Sequence, residues 1–185
     1  MDDETYLRSA HQLSQDLRHR AAECESLRRL PDETFECYQR SGLLRALQPR
    51  QWGGFELSPL SFFEAVGEVA AACPSSAWFL SVVGIHNWQL GLFPEEAQRD
   101  VWGKDTSVLI SSSYAPTGKV ERVNGGFRLS GRWSFSSGCD HCQWVFLGGI
   151  APGDGPIPDM RTFPAAAIRL SDHRQLARRG ARGHG

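Results

Sequence analysis

The chain has 185 residues, 41% of them hydrophobic and 22% charged, with a formal net charge of −1. That is room for one domain, or one domain and a part of another, at ordinary globular composition. The near-neutral balance excludes a whole-chain pull toward nucleic acid or an anionic membrane surface.

The acidic start, residues 1–4, carries no signal or transit pattern. The most apolar run, 77–93, is interrupted by His86, Asn87 and Gln89. It falls short of the roughly 18 unbroken apolar residues of a membrane span. The five cysteines are odd in number and show no framework spacing. They are expected to be reduced thiols of a cytoplasmic protein.

Residues 5–29 place Leu7, Ala10, Leu13, Leu17, Ala21 and Cys24 three or four apart, which predicts an amphipathic helix. Pro31-Asp32-Glu33 opens a second helix that ends near Ser41-Gly42. The stretch 48–54, with two glycines at its end, is expected to be a loop. Ser58-Pro59 starts a third helix whose buried face is expected to hold Phe62, Phe63, Val66, Val69, Ala70 and Cys73. A fourth, over 76–93, is apolar nearly all round and is expected at the centre of the helical part. Pro94-Glu95-Glu96 begins a shorter fifth helix.

The pattern changes at Lys104-Asp105. Short β-rich runs follow at 108–114, 119–123, 127–135 and 143–150, with Asn124-Gly125-Gly126 as a hairpin turn. The fold class is therefore α+β: a helical domain over 1–105, then a β domain over 106–163. Residues 164–185 form a separate basic tail with five arginines against one aspartate, and show little strand pattern.

Three places hold candidate chemistry. In residues 133–144 a strand end gives way to Ser136, Ser137 and Gly138, small residues that let a flat ligand approach the backbone and bond to hydroxyls and N–H groups. The bland alternative is a polar β-turn. Ser111-Ser112-Ser113 forms a second polar rim, ended by Pro116. His86 lies eight residues after Trp78 in one helix. That places the two roughly 12 Å apart along the axis and within about 80° around it. A lone histidine there is equally a satisfied core residue. Cys139-x-x-Cys142 with His141 reads as a metal or redox pair, or as small residues at a strand boundary. No second pair stands at zinc spacing, so no metal is expected.

Together, Leu30-Pro31-Asp32-Glu33, Gln48-Pro49 with Trp52-Gly53-Gly54, Ala77-Trp78, residues 84–88, 111–116 and 133–141 resemble proteins of the acyl-CoA dehydrogenase fold. More narrowly they resemble the oxygenase components of two-component flavin-dependent monooxygenases that hydroxylate phenols, of the seco-steroid and 4-hydroxyphenylacetate hydroxylase types. The resemblance covers about residues 5–163. It implies a helical N-domain, a middle β-barrel and a C-terminal helical bundle, assembled as a homotetramer. It implies a separate reductase supplying FMNH2 or FADH2, with O2 as co-substrate and a C4a-hydroperoxide as the hydroxylating species. Trp78, Ser112, Ser136, Ser137 and Gly138 match flavin-contacting positions. His86 matches a phenol-activating base, and Ser112 also a peroxide-contacting hydroxyl. An acyl-CoA dehydrogenase or a non-catalytic flavin-binding remnant is the alternative.

This resemblance implies that the barrel is partial and that the C-terminal bundle is absent, so hydroxylation is expected to be weak or lost. Codons exist for 169–180 whose next reading frame spells a family-like strand. The tail is thus expected to be an out-of-frame translation.

Overall fold

The computed structural model describes residues 1–124, 126–150 and 166–169, the last of these as backbone. The chain forms two compact units, Met1–Leu109 and a second that starts at Ile110. Among the described residues, no helix is long and apolar enough to cross a membrane. None of the five cysteines is in a disulfide.

The first unit is helical: α1 (Asp3–Leu27), α2 (Asp32–Ser41), α3 (Pro59–Ala70), α4 (Pro74–Gly91) and α5 (Glu95–Trp102). Local chemistry sets most of the ends. The Asp2 carboxylate caps α1 by accepting from the Thr5 amide at 2.9 Å. α2 follows Pro31 with Asp32 and Glu33 in its first turn and stops at Gly42, whose φ of 74° suits a residue without Cβ. Ser58 caps α3 and Pro59 occupies its first turn. α4 begins at Pro74, ahead of the expected Ser76, because proline fits a first helical turn as well as it ends the previous one.

Buried Tyr6, Leu17, Tyr38, Leu43, Phe62, Leu80, Leu90 and Trp102 form the core. Two phenols satisfy carbonyls inside it. Tyr6 donates to Leu43 O at 3.0 Å and Tyr38 to Ser76 O at 2.9 Å. The expected 48–54 loop contains a 3-10 turn at Arg50–Trp52, preceded by another at Leu43–Arg45.

Two burial expectations need correcting. Phe63 is exposed, and Ala65 takes its place on the inner face of α3. A helix 3.6 residues per turn cannot bury both Phe62 and Phe63 against one neighbour. Nor is α4 enclosed all round. α1, α3 and the Leu43–Arg45 turn pack on it, while Trp78, Trp88 and the adjoining Leu92 are exposed.

The second unit is a four-stranded sheet in the order β2-β1-β3-β4, made of β1 (Ile110–Val123), β2 (Gly126–Ser130), β3 (Trp144–Ile150) and β4 (Ala166–Arg169). β1 and β2 pair antiparallel up to Val123 opposite Gly126; Gly125 of the expected turn lies outside the described residues. β1 and β3 pair parallel. Parallel neighbours need a crossover, and residues 131–143 belong to it.

Three strand expectations change. Pro116 does not end a strand: β1 runs through it, and its register with β3 shifts between Ser113 and Gly118. Proline is tolerated at such an irregularity because no ladder hydrogen bond is asked of it. The run expected at 127–135 is strand only to Ser130. Part of the basic tail is strand after all, since Ala166–Arg169 pairs antiparallel with Trp144 to Leu147 along the edge of β3. Backbone pairing needs no side-chain pattern, which is why composition missed it. The rest of the tail, and residues 151–165, lie outside the described residues, as does most of the stretch on which the out-of-frame expectation rests.

Candidate functional site

In the helical unit, Trp78 and His86 sit on α4 as the spacing predicted, with opposite exposure. Trp78 is 62% exposed and His86 1%. The neighbouring Asn87, also buried, ties α4 to the chain before it, donating from Nδ2 to Leu44 O at 2.7 Å.

Asn87 also lines a cavity of about 90 Å³ together with Tyr38, Leu44, Arg45, Gln48 and Thr106. Arg45 donates to Thr106 Oγ1 at 3.1 Å and Gln48 Nε2 to Thr106 O at 2.9 Å. These bonds hold Thr106 in the helical unit, which runs on past Asp105 to Leu109. Burial pushes the Tyr38 phenol well above its usual range, so it stays a donor. Asn87 Oδ1 has no protein partner. The cavity has the room and the polar lining that an ordered water requires. No periodicity marks such a residue; a buried amide looks like any polar break in an apolar helix.

In the sheet unit the two serine rims form one network. Ser113 donates to Ser134 O at 2.7 Å, and Ser136 to Ser111 Oγ at 3.1 Å. Ser111 in turn donates to Trp144 O at 3.4 Å. The Trp133 indole donates to Gly148 O at 2.8 Å. Its ring lies where a Cβ on Gly118 would be, 2.3 Å away, so the bare backbone at Gly118 makes room for it. Residues 133–136 are thereby clamped onto β1 and β3.

Side chains alternate along a strand, so Ser112 lies on the opposite face of β1 from Ser111 and Ser113. It is buried. Ser136, Ser137 and Gly138 are half-buried, and Gly138 turns the chain with φ 78°. The sequence-predicted residues of this unit thus divide by role. Ser136 is tied to Ser111, while Ser112 lies on the other face of β1.

The crossover also holds a residue that sequence reasoning missed. Phe135 has φ 60°, a left-handed conformation that a bulky side chain adopts only under constraint, and its ring is 95% exposed. The bonds of Trp133, Ser134 and Ser136 supply that constraint. The signal was an aromatic placed between small hydroxyl residues, which the strand reading of 127–135 absorbed.

Residues 2–106 match the N-terminal domain of acyl-CoA dehydrogenases. The chain belongs to the acyl-CoA dehydrogenase family. Within the family it is similar to the flavin-dependent monooxygenase oxygenase subunit HsaA of Rhodococcus jostii strain RHA1, with 49% identity over 158 residues, 84% of this chain and 41% of that protein. It is also similar to the FADH2-dependent resorcinol hydroxylase, oxygenase component, of Rhizobium sp. strain MTP-10005, with 36% identity over 158 residues, 84% of this chain and 39% of that protein. Among solved structures, the crystal structure of the HsaA monooxygenase from M. tuberculosis superposes with a TM-score of 0.85 at 45% identity, over 92% of this chain and 44% of that one. The α+β acyl-CoA dehydrogenase-like fold and the resemblance to flavin-dependent oxygenase components are therefore established. The chain spans about two fifths of the length of these relatives.

Proposed function

We propose that this chain carries part of the reduced-flavin and phenol site of a two-component flavin-dependent monooxygenase, as its oxygenase component. The observation that carries the reading is the clamped crossover. It holds an aromatic ring in a strained backbone, in solvent, beside half-buried hydroxyls. Strain of this kind persists where the surroundings over-determine it, and it collects at ligand sites.

The residues fit a flavin. A flat, polar-edged ring system needs an apolar surface to lie on and hydrogen-bonding groups at its rim. Phe135 offers exposed aromatic surface in the sheet unit, and Trp78 does so in the helical unit. Ser112 brings a buried hydroxyl, and Ser137 and Gly138 a half-buried turn. Ser136 fixes the loop through Ser111. His86 takes the proton of the phenol hydroxyl, a task suited to imidazole near neutral pH. Reduced flavin, FMNH2 or FADH2, supplies the activation of O2 when bound; a separate reductase delivers it. The whole protein acts on a phenolic substrate as a homotetramer.

In this reading, Phe135→Gly separates stability from binding. Glycine relieves the left-handed strain, so thermal unfolding is expected to shift upward by about 1 kcal/mol. The lost ring is expected to weaken reduced-flavin affinity roughly fivefold to tenfold. Loss of stability with unchanged affinity would count against the assignment.

The activity itself is tested by mixing the chain with reduced flavin, O2 and simple phenols, then separating the products. A catechol formed only with the chain present supports the reading. Reduction of oxidised flavin by an acyl-CoA instead would favour a dehydrogenase, and absence of flavin binding would refute both.

A further inference from the structure

The Cys139-x-x-Cys142 pair remains unused by the reading above. The two residues bracket a short 3-10 turn, Cys139–His141, directly after Gly138. The Cys142 amide donates to Cys139 O at 3.3 Å, which closes the turn. Residues i and i+3 of a closed turn have Cα atoms within about 7 Å. A disulfide spans Cα separations of roughly 4.4–6.8 Å. The backbone spacing of the pair is therefore one that a disulfide spans.

We propose that Cys139 and Cys142 are a dithiol site for a hydroperoxide, which oxidises them to a disulfide across the turn. Their unequal access assigns the order. Cys139 is half-buried, whereas Cys142 is 8% exposed. Burial, with Cys139 and Asp140 close by, pushes the Cys142 thiol up. Cys142 rests protonated and Cys139 meets the oxidant first. The Cys139 sulfur attacks the terminal peroxide oxygen, and the thiol proton passes to the departing oxygen. The O–O bond breaks, giving a sulfenic acid at Cys139 and an alcohol, or water from hydrogen peroxide. The Cys142 sulfur then attacks the sulfenic sulfur. Its hydroxide leaves with the Cys142 proton as water, and the S–S bond forms. Two thiols are oxidised by two electrons and one peroxide is reduced.

A metal site is the rival use of such a pair. It needs further ligands, and among the described residues no group of three or more histidine, cysteine or carboxylate side chains converges. The turn is continuous with the clamped loop, since Cys139 N donates to Ser136 O at 3.2 Å and His141 N to Gly138 O at 3.0 Å. A disulfide there stiffens the segment that carries Ser136 and Ser137. The proposed flavin reading enters only as a source of peroxide, from reduced flavin that reacts with O2 without hydroxylating.

The test is hydrogen peroxide on the reduced whole chain, followed by thiol alkylation, intact mass and peptide mapping. The expected product has lost two hydrogens, leaves Cys24, Cys37 and Cys73 alkylated, and reverts with dithiothreitol. Cys142→Ser is expected to stop at a sulfenic acid on Cys139 that dimedone captures. Five alkylated thiols after treatment would overturn the proposal, as would a Cys24–Cys73 bridge in its place, over-oxidation of Cys139 without a bridge, or zinc bound tightly by the reduced pair. A disulfide in a chain that fails to bind reduced flavin would uphold the dithiol site and remove only the monooxygenase reading.

Discussion

Trp102→Ala is expected to cost about 3–5 kcal/mol of stability, the range for deleting a fully buried large aromatic. Trp102 is 0% exposed and closes α5 onto the rest of the helical unit. Its indole donates to Val108 O at 3.2 Å, and its ring packs against Trp52 at 6.1 Å between centroids. Trp52 donates to Gln98 Oε1 at 2.8 Å, and Gln98 Nε2 donates to Phe93 O at 2.7 Å, two residues past the end of α4. One deletion thus opens a cavity and leaves Val108 O without its donor. Domains of this size are stable by roughly 5–15 kcal/mol in all, so the variant is expected to lose a large share of its stability and to unfold at much lower urea. Urea titration followed by helical circular dichroism measures it. Trp102→Phe keeps most of the bulk and is expected to lose about 1 kcal/mol for the hydrogen bond. Equal losses for the two variants would show that packing does not dominate here.

Gly148→Val is expected to be the most damaging single change in the sheet. A Cβ at Gly148 would stand 2.2 Å from Tyr114 O and 3.0 Å from Ala115 O. Both obstacles are backbone, so no rotamer relieves them. Position 148 falls within the interval where β1 and β3 lose register, between Ser113 and Gly118. Overpacking costs about 1–3 kcal/mol where side chains can shift, and more is expected where strands must part. The Gly148 carbonyl is also the acceptor for Trp133, so the crossover should loosen as the strands separate. The expected signature is a red-shifted, more quenchable tryptophan emission and faster amide exchange over 133–138. A variant with wild-type emission and exchange would mean that the crossover is held by other contacts.

These two sites mark where the sequence was readable and where it was not. Helix ends were legible because Ser58, Pro59, Pro31 and Gly42 act through their own backbone preferences. The family motifs were legible because they combine residue types at fixed spacing along one chain. The inner face of α3 was misjudged, because adjacent phenylalanines give a face too wide for its neighbours to cover. α4 was misjudged for a related reason: mean apolarity does not reveal that one side is left open. Pro116 inside β1 depends on a register shift, which arises from the partner strand. Strand Ala166–Arg169 depends on the open edge of β3. Phe135 was hidden because φ at a non-glycine residue is set by the bonds of Ser134, Ser136 and Trp133, and none of those is written in the local pattern.

The central proposal is that the clamped crossover of the sheet unit receives reduced flavin. Amide exchange of the whole chain under anaerobic conditions, with and without FMNH2 or FADH2, tests it most directly. Protection concentrated at residues 133–138 and around Ser112 is the predicted result. Flavin binding that protects other segments and leaves these unchanged would contradict it.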